Sequence, residues 1–142
     1  MDGEQTLIRA TREDHALVLE FHLKFSLPRA DAPRLLDPDL QRFRIARLRE
    51  ELSEYEAAVD NDDLPGAADA LVDLAYIVHG TAIAHGVPWR ALFDEVHAAN
   101  MRKVQVANAA DSKHGHAADI KKPLGWQPPD VFEVLRAHGW QP

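Results

Sequence analysis

Apolar positions recur at helical spacing along the chain, and Pro-rich joints separate the periodic stretches. Residues 12–24 predict a first helix, with Leu17, Phe21 and Lys24 in helical phase, stopped by Ser26-Leu27-Pro28. Pro28, Pro33 and Pro38 predict an extended connector. Asp39 is the expected N-cap of a long helix that runs to about Asp60. Asn61-Asp62-Asp63 breaks that pattern. Pro65 then falls in the first turn of the next helix, which tolerates it, and Gly86 caps the end near His85. Pro88 opens a further helix through Phe93 and Val96 to about Val104. Residues 105–122 read as a polar loop and residues 123–129 as a rigid turn. A short last helix starts at Pro129 or Asp130 and ends near Gly139. Alternation of Val, Ile and Thr is missing, so no strand is expected. The expected fold is all-α, a bundle of four or five helices. It forms a single domain over 1–142, with its core at about 12–104 and a loop and closing segment at 105–142.

Composition adds exclusions. The 142 residues carry 16 Lys and Arg against 23 Asp and Glu, a charge of −7. That balance disfavours nucleic acid or an anionic membrane as partner. Cysteine is absent, so disulfides and thiolate metal sites are excluded. Met1-Asp2-Gly3-Glu4 does not open a signal peptide. The charge-free stretch from Leu74 to Trp89 is too short to span a bilayer. A cytoplasmic protein is expected. The charge is also uneven. Nine acids and no Lys or Arg lie between Glu50 and Asp73, which leaves 14 acids against 16 bases elsewhere.

That acidic window carries the chemistry. At about 100° per residue, Leu48, Leu52, Tyr55 and Val59 form an apolar stripe, with Glu50, Glu51 and Glu54 on one flank. The next helix is apolar almost all round, a pattern that normally means burial. Its acids, Asp69 and Asp73, share a narrow stripe with Tyr76 and Gly80. The short connection makes the two helices antiparallel neighbours and brings the Glu trio opposite the Asp pair. Carboxylates about 4 Å apart repel by roughly 4 kcal/mol per pair at an effective dielectric near 20. Such a cluster calls for protonation or a cation, and oxygen ligands favour Mg²⁺, with Mn²⁺ as a substitute. The simpler alternative is a solvated face, with the glutamates paired to Arg47 and Arg49 and Asp69 favouring the helix dipole.

Glu-Glu-x-x-Glu, a break, then Asp-x-x-x-Asp on an apolar helix resembles the all-α nucleoside triphosphate pyrophosphohydrolases. These include MazG, phosphoribosyl-ATP pyrophosphohydrolase and the dimeric dUTPases. Residues 20–25 with Pro28, 71–82, 93–103 and 121–130 resemble further segments of the MazG-like members. One departure stands out: many members have Glu-x-x-Asp on the second helix, and the corresponding position here is Ala70. Asp69 is the acid that would substitute.

The resemblance implies Mg²⁺-dependent hydrolysis of a nucleoside triphosphate, a dNTP or a non-standard NTP, between its α and β phosphates. Glu51, Glu54 and Asp73 are the implied metal ligands, with Asp69 a fourth. Glu50 is implied to hold a further metal or to act as the catalytic base. His22, Phe25, Tyr76, Asn100, Lys103, Lys122 and Trp126 are the implied substrate contacts. Members work as homodimers or homotetramers. Phosphoribosyl-ATP hydrolysis is the alternative within the enzyme class. A non-enzymatic helical module that binds a basic partner through the acidic ridge is the alternative outside it. A di-iron bundle requires paired Glu-x-x-His motifs, and only Asp94-x-x-His97 is present.

Overall fold

The computed structural model describes residues 14–142. Residues 12 and 13 of the expected first helix lie outside that range. Five α-helices are described: α1 (Asp14–Lys24), α2 (Pro38–Asp60), α3 (Leu64–His85), α4 (Trp89–Met101) and α5 (Val131–Ala137). The fold is all-α, as expected. Besides a short 3₁₀ turn at Ala109–Asp111, the structure adds a two-residue antiparallel pair, β1 (Val104–Gln105) with β2 (Ile120–Lys121). It lies where only a loop was expected, because two residues are too few to show alternation. It also ends α4 at Met101 rather than near Val104. The chain forms two compact units, residues 1–87 and 88–142.

In the first unit, local chemistry sets the helix ends. The cap of α2 is Asp37, not Asp39: its Oδ1 accepts the Leu40 N–H at 3.1 Å, and Pro38 occupies the first turn. Asp39 pairs instead with Arg42. Asp63 caps α3 by accepting the Gly66 N–H at 3.0 Å. Asp62, in the connecting turn, has a positive φ of 53°. Gly86 ends α3 with φ 70°. A side chain there would also collide with the connector, since a β-carbon would lie 2.5 Å from the Ala32 carbonyl oxygen. The connector is tied to the same helix end by Ala30 N–H to Ile83 O and Arg34 N–H to His85 O.

Helices α2 and α3 pack antiparallel in a layered register. Ala58 meets Gly66, Glu51 lies within the field of Asp73, and Arg44 meets Gly80. Each step is seven residues on both helices, about two turns or roughly 10 Å. This corrects two expectations. The packed face of α2 runs through Arg44, Glu51 and Ala58, while Leu52 and Val59 are exposed. The helix is therefore rotated from the apolar-stripe reading, so that Glu51 points inward. Nor is α3 buried all round. Small residues such as Ala67, Ala70 and Gly80 pack inward, and Leu71 and Val72 remain 50% and 65% exposed. By length and composition α3 would suffice to cross a bilayer, but it carries Asp69 and Asp73 and packs along α2.

Candidate metal and nucleotide site

Glu51 is the centre of the acidic cluster. Its carboxylate is 4% exposed. Oε1 accepts from Arg47 Nη2 at 2.7 Å, while Oε2 is buried with no hydrogen-bond partner among the described residues. Burial pushes the Glu51 carboxyl above its ordinary pKa. The Glu54, Asp73 and Glu50 charges push the same way, and Arg47 opposes them. A buried carboxylate oxygen left without a donor, facing other carboxylates, is costly unless a cation completes it. The donor set is all oxygen and anionic, which fits a hard divalent cation. Among the described residues no three His, Asp or Glu side chains converge closely enough to hold an ion as they stand.

The other predicted acids divide. Glu50 is exposed and pairs with the second Nη of Arg47, so this one guanidinium bridges Glu50 and Glu51. That part of the simpler reading, glutamates paired to Arg47, is present in the structure. Glu54 and Asp73 are exposed neighbours of Glu51. Asp69 is also exposed, but the carboxylates that act on Glu51 are Glu54, Asp73 and Glu50. Ala70, where the resemblance would place an acid, is a buried methyl group, 3% exposed.

One turn along α3 from Asp73, Tyr76 meets Phe21 of α1 edge-on, with ring centroids 5.4 Å apart. Phe21 in turn contacts Phe25 at 4.8 Å. These partly open rings form an aromatic patch beside the acidic cluster. His22 is placed differently. It is buried, and Nδ1 lies 3.0 Å from the Pro28 carbonyl, so the N–H sits there. Nε2 is then the acceptor facing Arg44 Nη2 at 3.4 Å. Both ring nitrogens are used internally, and burial lowers the His22 pKa. This neutral, packed imidazole has no free edge with which to read a base.

Arg44 was not singled out by sequence. It is 6% exposed, and its Nε has no hydrogen-bond partner. The available signal was its two-turn spacing from Glu51, with a glycine opposite.

In the second unit the β1–β2 register does the positioning. Val104 pairs with Lys121 and Gln105 with Ile120, which sets Lys103 opposite Lys122. Both ammonium groups lie over the Trp126 ring, 5.4 and 4.6 Å from its centroid. The indole N–H donates to the Ala99 carbonyl at 2.8 Å, which pins the ring to the end of α4. Asn100 is exposed, next to that carbonyl. The structure thus gathers Lys103, Lys122 and Trp126 into one cationic patch. Ser112 and His114 converge on Asp119 and hold its carboxyl well below the usual range, with the Ser112 hydrogen bond the larger cause. These contacts brace the loop between the strands.

A family model described as phosphoribosyl-ATP pyrophosphohydrolase matches residues 18–100. A search of curated proteins returned no match.

Proposed function

The chain belongs to the phosphoribosyl-ATP pyrophosphohydrolase family, within the all-α nucleotide pyrophosphohydrolases, and from that premise we propose that it cleaves a nucleoside triphosphate to a monophosphate and pyrophosphate with Mg²⁺. The observation that carries this reading is Glu51: a buried carboxylate with one unpartnered oxygen among three further acids. Glu51, Glu54 and Asp73 are the proposed ligands. Asp69, exposed like Glu54 and Asp73 and one turn from Asp73 on the same helix, is the proposed fourth. When bound, Mg²⁺ neutralises the triphosphate and acidifies a water molecule. Glu50, at the exposed end of the cluster, would accept the proton of the attacking water. The water oxygen bonds to phosphorus, the bridge between the α and β phosphates breaks, and pyrophosphate departs.

The Tyr76–Phe21–Phe25 patch is the proposed stacking surface for the base, one turn from Asp73. Within the second unit, Lys103 and Lys122, with Trp126 and Asn100 beside them, are a proposed phosphate-binding patch in their own right. We further propose a homo-oligomer. The observation that supports it is that Leu17, Leu71, Val72 and Val78, apolar residues of α1 and α3, are exposed. Light scattering across a concentration series reads this directly.

The family description favours one second reading, phosphoribosyl-ATP as the substrate. Both readings are tested by a panel of NTPs, dNTPs and phosphoribosyl-ATP with Mg²⁺, scored for pyrophosphate. At least one compound should be cleaved, and Glu54→Ala should abolish cleavage. The enzyme reading fails if none is cleaved and Glu54→Ala changes neither metal binding nor stability. A ridge that binds a basic partner predicts a solvent-facing Asp pair, which Asp69 and Asp73 are; it also predicts that a divalent metal leaves the melting temperature unchanged, and that measurement separates it from the enzyme.

A further inference from the structure

Arg47 occupies an unusual place for a surface-helix arginine. Its two terminal nitrogens divide between Glu50 and Glu51, one exposed carboxylate and one buried. It supplies the only hydrogen bond that reaches the Glu51 carboxylate among the described residues, through Oε1, and Oε2 has none. The other charges that act on Glu51 are the anions Glu54, Asp73 and Glu50. One guanidinium therefore provides the countercharge of Glu51, which the proposed reading assigns to a divalent cation, and of its neighbour Glu50. About a third of the Arg47 side chain is exposed, so it can swing to solvent without unpacking the helix.

We propose that Arg47 is an exchangeable counter-ion: it satisfies Glu51 and Glu50 in the metal-free protein and is displaced when the divalent cation binds. The inference rests on the proposed metal site but concerns a residue outside the ligand set. The reason is electrostatic. Glu51 is too buried to stay charged without a cation beside it, and a metal ion held by Glu51, Glu54 and Asp73 would repel a guanidinium at hydrogen-bond distance. Either cation meets the need of Glu51, and the two exclude each other. A bidentate arginine suits the role, since its planar fork spans two carboxylates and an ammonium does not.

The test is metal binding and thermal unfolding of the full chain, without nucleotide, for wild type, Arg47→Gln and Arg47→Lys. Metal-free Arg47→Gln should melt below wild type, because Glu51 has lost its partner. Mn²⁺ should bind it about tenfold more tightly, because competition is gone. Its rise in Tm with Mn²⁺ should therefore exceed that of wild type. Arg47→Lys should fall between the two. If Arg47→Gln folds too poorly to measure, Arg47→Lys alone must still bind Mn²⁺ more tightly than wild type. Unchanged or weaker Mn²⁺ binding in the variants overturns the exchange. Failure of wild type itself to bind Mn²⁺ or Mg²⁺ overturns the metal reading instead, so the two failures are distinguishable.

Discussion

The guanidinium of Arg44 fills the space that a side chain at Gly80 would take. A β-carbon on residue 80 would lie 3.2 Å from Arg44 Nη1 and 2.8 Å from His22 Nε2. The glycine thus allows α1, α2 and α3 to meet around one buried cation. In most helices glycine costs about 1 kcal/mol relative to alanine, so its presence here needs such a reason. Gly80→Val should lose about 2–3 kcal/mol through overpacking, since His22 is held by Pro28 and cannot yield freely. Gly80→Ala should lose less, because better helix propensity offsets part of the clash. Urea unfolding of both variants checks the order; an equal or stabilising effect of valine would contradict the packing described.

Arg44 makes the opposite prediction from its burial. It is a charged group with one weak contact, to His22 at 3.4 Å, and an unpartnered Nε. Buried ionic groups replaced by apolar residues of similar size often leave stability unchanged or raise it by roughly 1–4 kcal/mol. Arg44→Met should therefore raise the unfolding free energy by about 1 kcal/mol. Chemical denaturation at pH 7.5 measures it. A loss of similar size would show that Arg44 has an anionic partner in solution.

Three histidines set the response to acid. Burial is the largest cause lowering the pKa of His15, His22 and His79 from 6.5. Each binds protons preferentially in the unfolded chain, so folded stability is complete above pH 6.5 and falls as the pH drops below it. Glu51, pushed upward, acts in the other direction: its protonation favours the folded state as the pH falls toward its raised value. With three groups against one, the metal-free protein should be less stable at pH 5.5 than at pH 7.5. His79→Asn should flatten that difference. Denaturation midpoints at the two pH values decide it, and a more stable protein at pH 5.5 would refute the assignment.

The acidic cluster should trade stability for binding. Glu51→Gln removes a buried charge that faces three like charges, and Asp73→Asn removes one of its neighbours. Asp73→Asn should raise the metal-free Tm by a few degrees. Glu51→Gln should raise it less, because the Arg47 pair is weakened. Both should abolish the rise in Tm on adding Mg²⁺, as well as pyrophosphate release. Differential scanning calorimetry with and without Mg²⁺ reads the first pair of effects. A full Mg²⁺ response in Glu51→Gln would remove Glu51 from the ligand set.

Much of the helix layout is legible in the sequence because its ends are set by local chemistry. Gly86, Pro65 and the Asn61–Asp63 break act through their own backbone geometry, without help from distant residues. The facing of α2 is not legible in the same way. A periodic reading places Leu52 inward and Glu51 on the flank, because it assumes that apolar groups are buried. The structure reverses the two, and only the register with α3 reveals it. Arg44 escapes notice for the same reason. The meeting of Lys103 and Lys122 over Trp126 depends on a strand pair too short to leave a pattern. The acids of the candidate site are visible in sequence, and their division into a buried centre and exposed neighbours is not.

The seven-residue layering of α2 on α3 has a practical consequence for anyone altering this chain. Positions are counted outward from the turn at 61–63, so one residue lost between the turn and Glu51, or between the turn and Asp73, would shift Glu51 past Asp73 and Arg44 past Gly80 together. The turn itself carries none of those contacts, and its residues are exposed. Extra chain inserted after Asp62, such as a short epitope or a fluorophore attachment loop, would lengthen the link while leaving every layer in step. The tip of the hairpin is the place to put a reporter.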